Sequence, residues 1–445
     1  MLRGFKVMSR RAITKVQAVI IVIIIIIAAI GGVAAYYMTR PKPKKTLILG
    51  VVGPFTGPAA KTGKNFKDAA LMAIDDAKEM GLFPMTLDGV VYEDVEVVWI
   101  DSESDPEKAV VAYEDAIVRR GVQIIASGWH SSVAMAIHEI STKYGIIHVG
   151  HMGETQFLCY KREENPDASK YYFKGWPCPP IFAGLYAEPL TYLIDKGVWH
   201  PKTHKYAIIV EDTDFGRGWG DAIKESLDGM GWEMAYYDVV ALLPSPEVEF
   251  YPFLEKYMTA GVSVIAFTHT ASASFAAIMK QWRELEVPAM LICHGLGWFP
   301  EWYELAGEAS DYAVCMDAPA KYKPEHDEWI NKFKAKYGYE PSLAAAGHSY
   351  DYMMIALKAL KEAGTLDPDK IRSVIVDRAW EGVWHTYYWP SGKYDPVKQP
   401  WAHFQEPRVG EEYFFFPFRQ AIGGEMYVIW PEKYATGTFK EAPWW

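Results

Sequence analysis

Residues 46–81 read TLILGVVGPFTGPAAKTGKNFKDAALMAIDDAKEMG, and this stretch decides the fold. Residues 46–53 form a short apolar run bounded by glycine and proline, which marks a strand buried on both faces. Over 67–80 the residues Ala70, Leu71, Ile74 and Ala77 share one helical face, and Gly81 stands where a helix cap belongs. A strand followed by an amphipathic helix is half of a parallel β-α-β unit.

The alternation continues along the chain. Strands are predicted at 95–100, 123–126 and 145–149. A helix opens at Asp105-Pro106-Glu107, with aspartate as N-cap and proline in the first turn, and another covers 133–144. The rhythm then restarts, with strands at 206–210, 232–240, 262–267, 289–293 and 312–316 and helices at 218–229, 250–260 and 273–285. Two such series predict two α/β lobes, each a parallel sheet with helices on both faces. Ligands of open α/β sheets sit beyond the carboxyl ends of the strands. The loops to watch are therefore 53–63, 127–132, 150–155, 211–217, 268–272 and 293–298. Residues 343–363 read as one long helix. Beyond Trp384 the chain turns aromatic and reads as β-hairpins, with Gly423-Gly424 as a turn.

The N-terminus carries a different signal. Residues 18–38 hold no charge, and twenty-one helical residues span about 31 Å, the thickness of a bilayer's hydrocarbon core. Arg3, Lys6, Arg10, Arg11 and Lys15 precede them without any acid, which holds that end in the cytoplasm. A transmembrane or signal-anchor helix is expected, with everything after Arg40 extracytoplasmic and Pro41-Lys42-Pro43-Lys44-Lys45 as a stiff spacer. A cleaved secretory signal ending near Ala34-Ala35 stays open. So does an archaeal pilin-like signal, which RRAIT at 10–14 resembles and which would be cut after Ala12, leaving the helix in place.

Nine of the 45 Lys and Arg lie in the first 45 residues, and none of the 56 acids does. The exterior part therefore has 36 basic against 56 acidic residues and a charge near −20. Such a surface repels nucleic acid and anionic head groups. About 400 residues exceed one core and suit two domains. Four cysteines and the absence of CxxC or paired-histidine spacing point to no structural metal and no disulfide scaffold. Neither is a GxxxxGK[ST] phosphate loop present, and no ATP site is expected; no cofactor is expected either.

Four segments, in order, carry a resemblance. GVVGPFTGPAAKTGKNFKDAALMAIDDAKEMG at 50–81 resembles the opening of extracytoplasmic solute-binding proteins of ABC transporters, of the leucine/isoleucine/valine-binding (branched-chain amino acid) type. VVWIDSESDPEKAVVAYEDAIVRRGVQIIASGWHSSVAMAI at 97–137, VEDTDFGRGWGDAIKESLDGMGW at 210–232 and PSLAAAGHSYDYMMIALKALKEAG at 341–364 follow. The resemblance spans about 46–400. It implies a type I periplasmic-binding fold: two doubly wound lobes joined by three crossovers, here near 173–176, 318–320 and 386–389. Lobe 1 would comprise 46–173 plus 320–386, and lobe 2 would comprise 174–319 plus 387–445 with the C-terminal hairpins. It also implies that an amino acid or similar small carboxylate or amide solute is trapped between the lobes and delivered to the permease subunits.

Ser131 and Ser132 lie where a strand becomes a helix, a place for an anion or for an ordinary N-cap. In the family the pair grips the ligand carboxylate. Met152, Glu154 and Thr155 sit in the second ligand loop of that lobe. Phe215 replaces the tyrosine usual in the family's D-x-x-Y-G motif, and Thr268 and Thr270 end another strand facing the cleft. His294 falls near the position from which amino-acid binders offer a carboxylate to the ligand's ammonium. No acid occurs between Leu291 and Pro300, which departs from an amino-acid site. Trp129 adjoins the serine pair as a stacking wall, and Trp298 and Trp302 are further wall candidates or core. Cys159 and Cys178 flank CYKREENPDASKYYFKGWPC and are a disulfide candidate in an exterior location, whereas Cys293 and Cys315 read as buried thiols. His130, Ser131 and Glu154 contain the letters of a catalytic triad, but no G-x-S-x-G elbow is present and no enzyme is expected. A sensor ectodomain is the remaining alternative. The five-residue spacer and short cytoplasmic arm favour transport.

Overall fold

The computed structural model describes residues 22–32, 44–241 and 249–445. Of the expected membrane segment only 22–32 fall within that range. They are helical, and apolar side chains such as Val22, Ile25 and Ile27 are exposed. The rest of 18–38 and its basic flank lie outside the described residues. Among the described residues no helix is long and apolar enough to cross a membrane.

The strands in chain order are β1 (Lys44–Gly53), β2 (Met85–Leu87), β3 (Val90–Asp101), β4 (Ile124–Ala126), β5 (His148–His151), β6 (Tyr172–Lys174), β7 (Lys205–Glu211), β8 (Glu233–Val240), β9 (Val264–Thr268), β10 (Met290–His294), β11 (Val314–Met316), β12 (Ala379–Glu381), β13 (Thr386–Tyr388), β14 (Phe418–Ile422) and β15 (Glu425–Trp430). β2-β3-β1-β4-β5-β6 form one sheet, parallel except for β2. β15-β14-β11-β10-β9-β7-β8 form a second, whose five central and far strands are parallel and whose edge is the β14–β15 hairpin. β12 and β13 pair separately.

Both sheets are covered on both faces. Leu47, Leu49 and Val51 pack with Phe66, Ala69 and Ala73 of the helix Ala60–Glu79, while Val52 packs with Val98, Ile100 and Tyr113. In β7, Ile208 and Val210 join the first of these cores and Ala207 and Ile209 join a separate one. Successive strand residues point to opposite faces, so a wholly apolar strand needs a helix layer on each side.

The chain passes between the sheets three times: after β6, after β11 and after β13. The helix His348–Ala363 packs on Ala60–Glu79 and on β4 and β5, although it follows β11 in sequence. The C-terminal hairpin forms with Gly423 and Gly424, both at positive φ, at its turn.

Several boundaries differ from the sequence pattern. The first helix begins at Ala60, because the polar-looking turns 60–66 bury Gly63, Asn65 and Phe66. Asn65 accepts from the Ser342 backbone at 2.8 Å. The helix expected over 133–144 is two short ones, Ser131–Ile137 and Ile140–Lys143. The long helix begins with a π turn, Leu343–Gly347. Helices Gln156–Glu164, Ala187–Asp195, Pro324–Tyr337 and Pro368–Ile375 are absent from the sequence reading. In the first of these, Gln156, Leu158, Cys159 and Arg162 are buried, an apolar stripe broken by polar letters.

Candidate functional site

The carboxyl ends of the two sheets face each other, and the residues that end the strands build the cleft between them. His151 ends β5, Thr268 ends β9 and His294 ends β10. Glu154 lies three residues beyond β5, in a loop held down by backbone contacts. Met152 N–H donates to the Gly128 carbonyl at 3.0 Å, and Gly153 N–H donates to His151 Nδ1 at 3.1 Å. Gly128 has φ 150°, and a Cβ there would lie 2.0 Å from the His151 ring, so only glycine lets the two loops approach.

The two sides meet at one polar contact. His294 Nε2 donates to Glu154 Oε1 at 2.9 Å, and both residues are buried. Tyr186 lies 3.4 Å from His294 Nδ1. The imidazole stacks on Trp219 at 4.9 Å and 8° and on Phe182 at 5.7 Å and 24°. Phe215 and Trp298 stand at 6.3 and 5.2 Å from the same ring. The carboxylate that the sequence lacks beside His294 therefore arrives from the opposite sheet, 140 residues away.

Trp298 joins the walls. Its ring lies 5.7 Å from Trp129, 5.8 Å from Trp176 and 5.6 Å from Phe215. Trp302 packs instead in the second-sheet core, beside Tyr303. Thr155 is fully buried, and its Oγ1 would lie 2.9 Å from a Cβ on Gly218. The helix Asp214–Gly229 therefore rests directly on the opposite loop. Among the described residues the indole N–H groups of Trp176, Trp219 and Trp298 and Thr155 Oγ1 are buried and find no hydrogen-bond partner.

Ser131 and Ser132 open the short helix Ser131–Ile137, and neither hydroxyl makes a hydrogen bond among the described residues. Thr268 and Thr270 are occupied. Thr268 Oγ1 donates to the His294 carbonyl at 2.8 Å, and Thr270 donates to Glu211 Oε2 from N at 2.7 Å and from Oγ1 at 2.9 Å. Thr213 completes the Glu211 clasp at 2.7 Å, and burial pushes the Glu211 carboxyl above its usual range. These threonines tie loop ends together within the second sheet.

Trp176, Phe182, Tyr186 and Trp219 were missed by sequence reasoning. Trp219 stands four residues after Phe215, one helical turn on, and that spacing could have found it. The others lie at the first crossover, where no periodic pattern flags them.

Cys159 and Cys178 are free, buried thiols, and their sulfurs lie within 4.8 Å of each other and of the Glu406 carboxylate. Two cations face this group: the Lys174 ammonium, 3.6 Å from Cys159 Sγ and 3.7 Å from Glu406, and Arg162, whose Nη1 lies 3.8 Å from Glu406. Cys293 and Cys315 are buried thiols in β10 and β11.

Two α/β layers joined by three passes of the chain, their strand ends meeting at buried side chains, define a type I periplasmic-binding fold. The periplasmic binding protein family model matches residues 46–402, and the chain belongs to that family. The leucine-, isoleucine-, valine-, threonine- and alanine-binding protein of Pseudomonas aeruginosa is 23% identical over 357 residues, covering 79% of this chain and 86% of that one. Among solved structures, one from Silicibacter pomeroyi assigned to a branched-chain amino acid ABC transporter superposes with TM-score 0.74 at 18% identity, over 90% of this chain and all of that one. An ABC-transporter solute-binding protein from Rhodopseudomonas palustris BisB5, in complex with 3,4-dihydroxybenzoic acid, gives TM-score 0.67 at 20% identity, over 89% of this chain and 99% of that one.

Proposed function

We propose that this protein is an extracytoplasmic receptor that captures a small carboxylate-bearing solute between two lobes and delivers it to an ABC permease. The observation that carries the reading is the Glu154–His294 contact, which joins the ends of two separate sheets and so can form only when the lobes are closed. The lobes would comprise 46–173 plus 320–386 and 174–319 plus 387–445. Ser131, Ser132, Met152, Glu154 and Thr155 would line the solute from one lobe, and Phe215 and His294 from the other. Trp129 would serve as wall, with Thr268 and Thr270 shaping the loop ends. The family relationship supports a transport role, as do relatives named for amino-acid binding and a neighbour holding an aromatic acid.

The N-terminal helix would tether the protein to the membrane. The uncharged run 18–38 with its basic flank and the exposed apolar side chains of 22–32 support this. The test of the whole reading is small-angle scattering with and without solute, after a thermal-shift screen of amino acids, organic acids and amides. A bound solute should raise the melting point and leave a compact particle, because ligand binding stabilises by mass action. A solute that binds without any difference between open and compact populations in scattering counts against capture by lobe closure.

A further inference from the structure

We infer that the first turns of the helix Ala60–Glu79 grip the turn 298–301 of the opposite sheet, and that Lys61 is the positioning residue that holds the closed lobes together at this lip. The inference rests on the reading of capture by lobe closure and deepens it.

The turn follows β10 and belongs with the second sheet, whereas the helix Ala60–Glu79 packs on β1 of the first. The two meet at two points. At one, Ser342 Oγ donates to the Trp298 carbonyl at 2.5 Å. Ser342 is itself fastened to the helix: its N–H donates to Asn65 Oδ1 at 2.8 Å, and the π turn it opens packs on Ala60–Glu79. At the other point, Lys61 Nζ lies 2.9 Å from Glu301 Oε1. Lys61 and Asn65 stand four residues apart, one above the other on the same helix face, so that face holds both ends of the turn.

Glu301 shows what the second point does. Its side chain is 13% exposed, and its Oε2 is buried and finds no hydrogen-bond partner among the described residues. The carboxylate does not cap the helix Trp302–Ala306 that it precedes. Among the described residues Lys61 is its one ion-pair partner. A carboxylate drawn out of water needs an opposite charge, and this one receives it only from the facing lobe. When the lobes part, water reaches Glu301. Lys61 loses little then, because its side chain is 71% exposed even in the contact. The pair therefore favours the closed arrangement over the open one and contributes little to the fold of either lobe. Glu154 and His294 differ in this respect, since both are buried and removing either orphans the other.

The experiment is hydrogen–deuterium exchange of the solute-free full chain, read by mass spectrometry, with scattering on the same samples. Lys61→Met keeps an unbranched apolar stem and removes the charge. It should speed exchange of the amides of 296–302 about threefold, the scale of a partly exposed ion pair. The radius of gyration should rise, while the amides of 67–79 stay protected and the melting point holds. Lys61→Arg should restore the wild-type exchange. High salt should loosen the wild type towards Lys61→Met and leave that variant unmoved, because salt screens exposed charges. Lys61→Met combined with Glu301→Gln should fall back towards the wild type, since a neutral amide is buried at lower cost than an unpaired carboxylate. Faster exchange that spreads through 67–79, or exchange at 296–302 that ignores both the substitution and salt, overturns the inference. Glu154→Ala then separates the two readings. If it opens the protein and Lys61→Met does not, capture by closure stands without this grip. If neither changes the shape of the particle, the closure reading falls as well.

Discussion

Glu154 and His294 lie 140 residues apart, end on different sheets, and meet at 2.9 Å with both side chains buried. Each is the other's polar partner, so removing one leaves a buried group unsatisfied. Glu154→Ala should cost the closed form about 1–3 kcal/mol and shift the solute-free protein towards an open shape. Scattering should record a larger radius of gyration. The double variant with His294→Phe should recover part of that loss, since replacing both partners removes the orphan; strict additivity of the two substitutions would contradict the coupling.

The serine pair opens its helix with hydroxyls that find no hydrogen-bond partner among the described residues. Ser131→Ala with Ser132→Ala should lower solute affinity by about 1–3 kcal/mol, the usual worth of hydrogen bonds to a charged group. The melting point without solute should hardly move. A variant that binds normally would relegate the serines to capping the helix.

Acid should destabilise the fold through buried histidines. Burial pulls His130, His148 and His326 down to about 4 and His348 to about 3. Unfolded histidine titrates near 6.5, so between there and about 4 the unfolded chain holds more protons. Their stabilisation is complete above about pH 6.5 and is lost as pH falls. Asp351, pushed up to about 6 by burial, acts in the opposite sense: its contribution is present at low pH and lost as pH rises through 6. The four histidines outnumber it. Calorimetry should show the melting point falling between pH 6.5 and 4.5, and less steeply in His348→Gln. A flat profile would rule out the histidine account.

Cys159 and Cys178 are close enough for oxidation to join them after a small movement. We expect peptide mapping without reductant to find them linked in protein exported to an oxidising exterior. The bridge should stabilise by about 3 kcal/mol in the chain-entropy model. Two alkylatable thiols in the exported protein would end the claim.

Membrane attachment is expected to depend on residues 1–45 alone. Intact-mass measurement of detergent-extracted protein should give the full chain or one lacking only 1–12. Protein that begins at or beyond Ala35 and stays in the medium would refute the tether.

The sequence by itself determined the layered α/β class, the parallel core strands and the acidic exterior, because these follow from local periodicity and composition. The runs at 46–53 and 206–210 are apolar at consecutive positions, and only a sheet covered on both faces buries such runs. The loops that bear Ser131, Glu154, Phe215 and His294 followed from the rule that sites lie beyond strand ends.

Only the tertiary structure decided which of those residues touch. The sequence left His294 without an acid, and the fold supplies Glu154 from the other sheet. Thr270, which the family resemblance places at the cleft, donates its hydroxyl to Glu211. Trp176 and Tyr186 reach the cleft from a crossover with no periodic signal. The helix Gln156–Glu164 looks polar because its Arg162 is buried against the carbonyl of Tyr172 and beside Glu406. Periodicity reports which face of an element is buried. Pairing across a cleft depends on where two separately folded sheets come to rest, and no local pattern of residues encodes that distance.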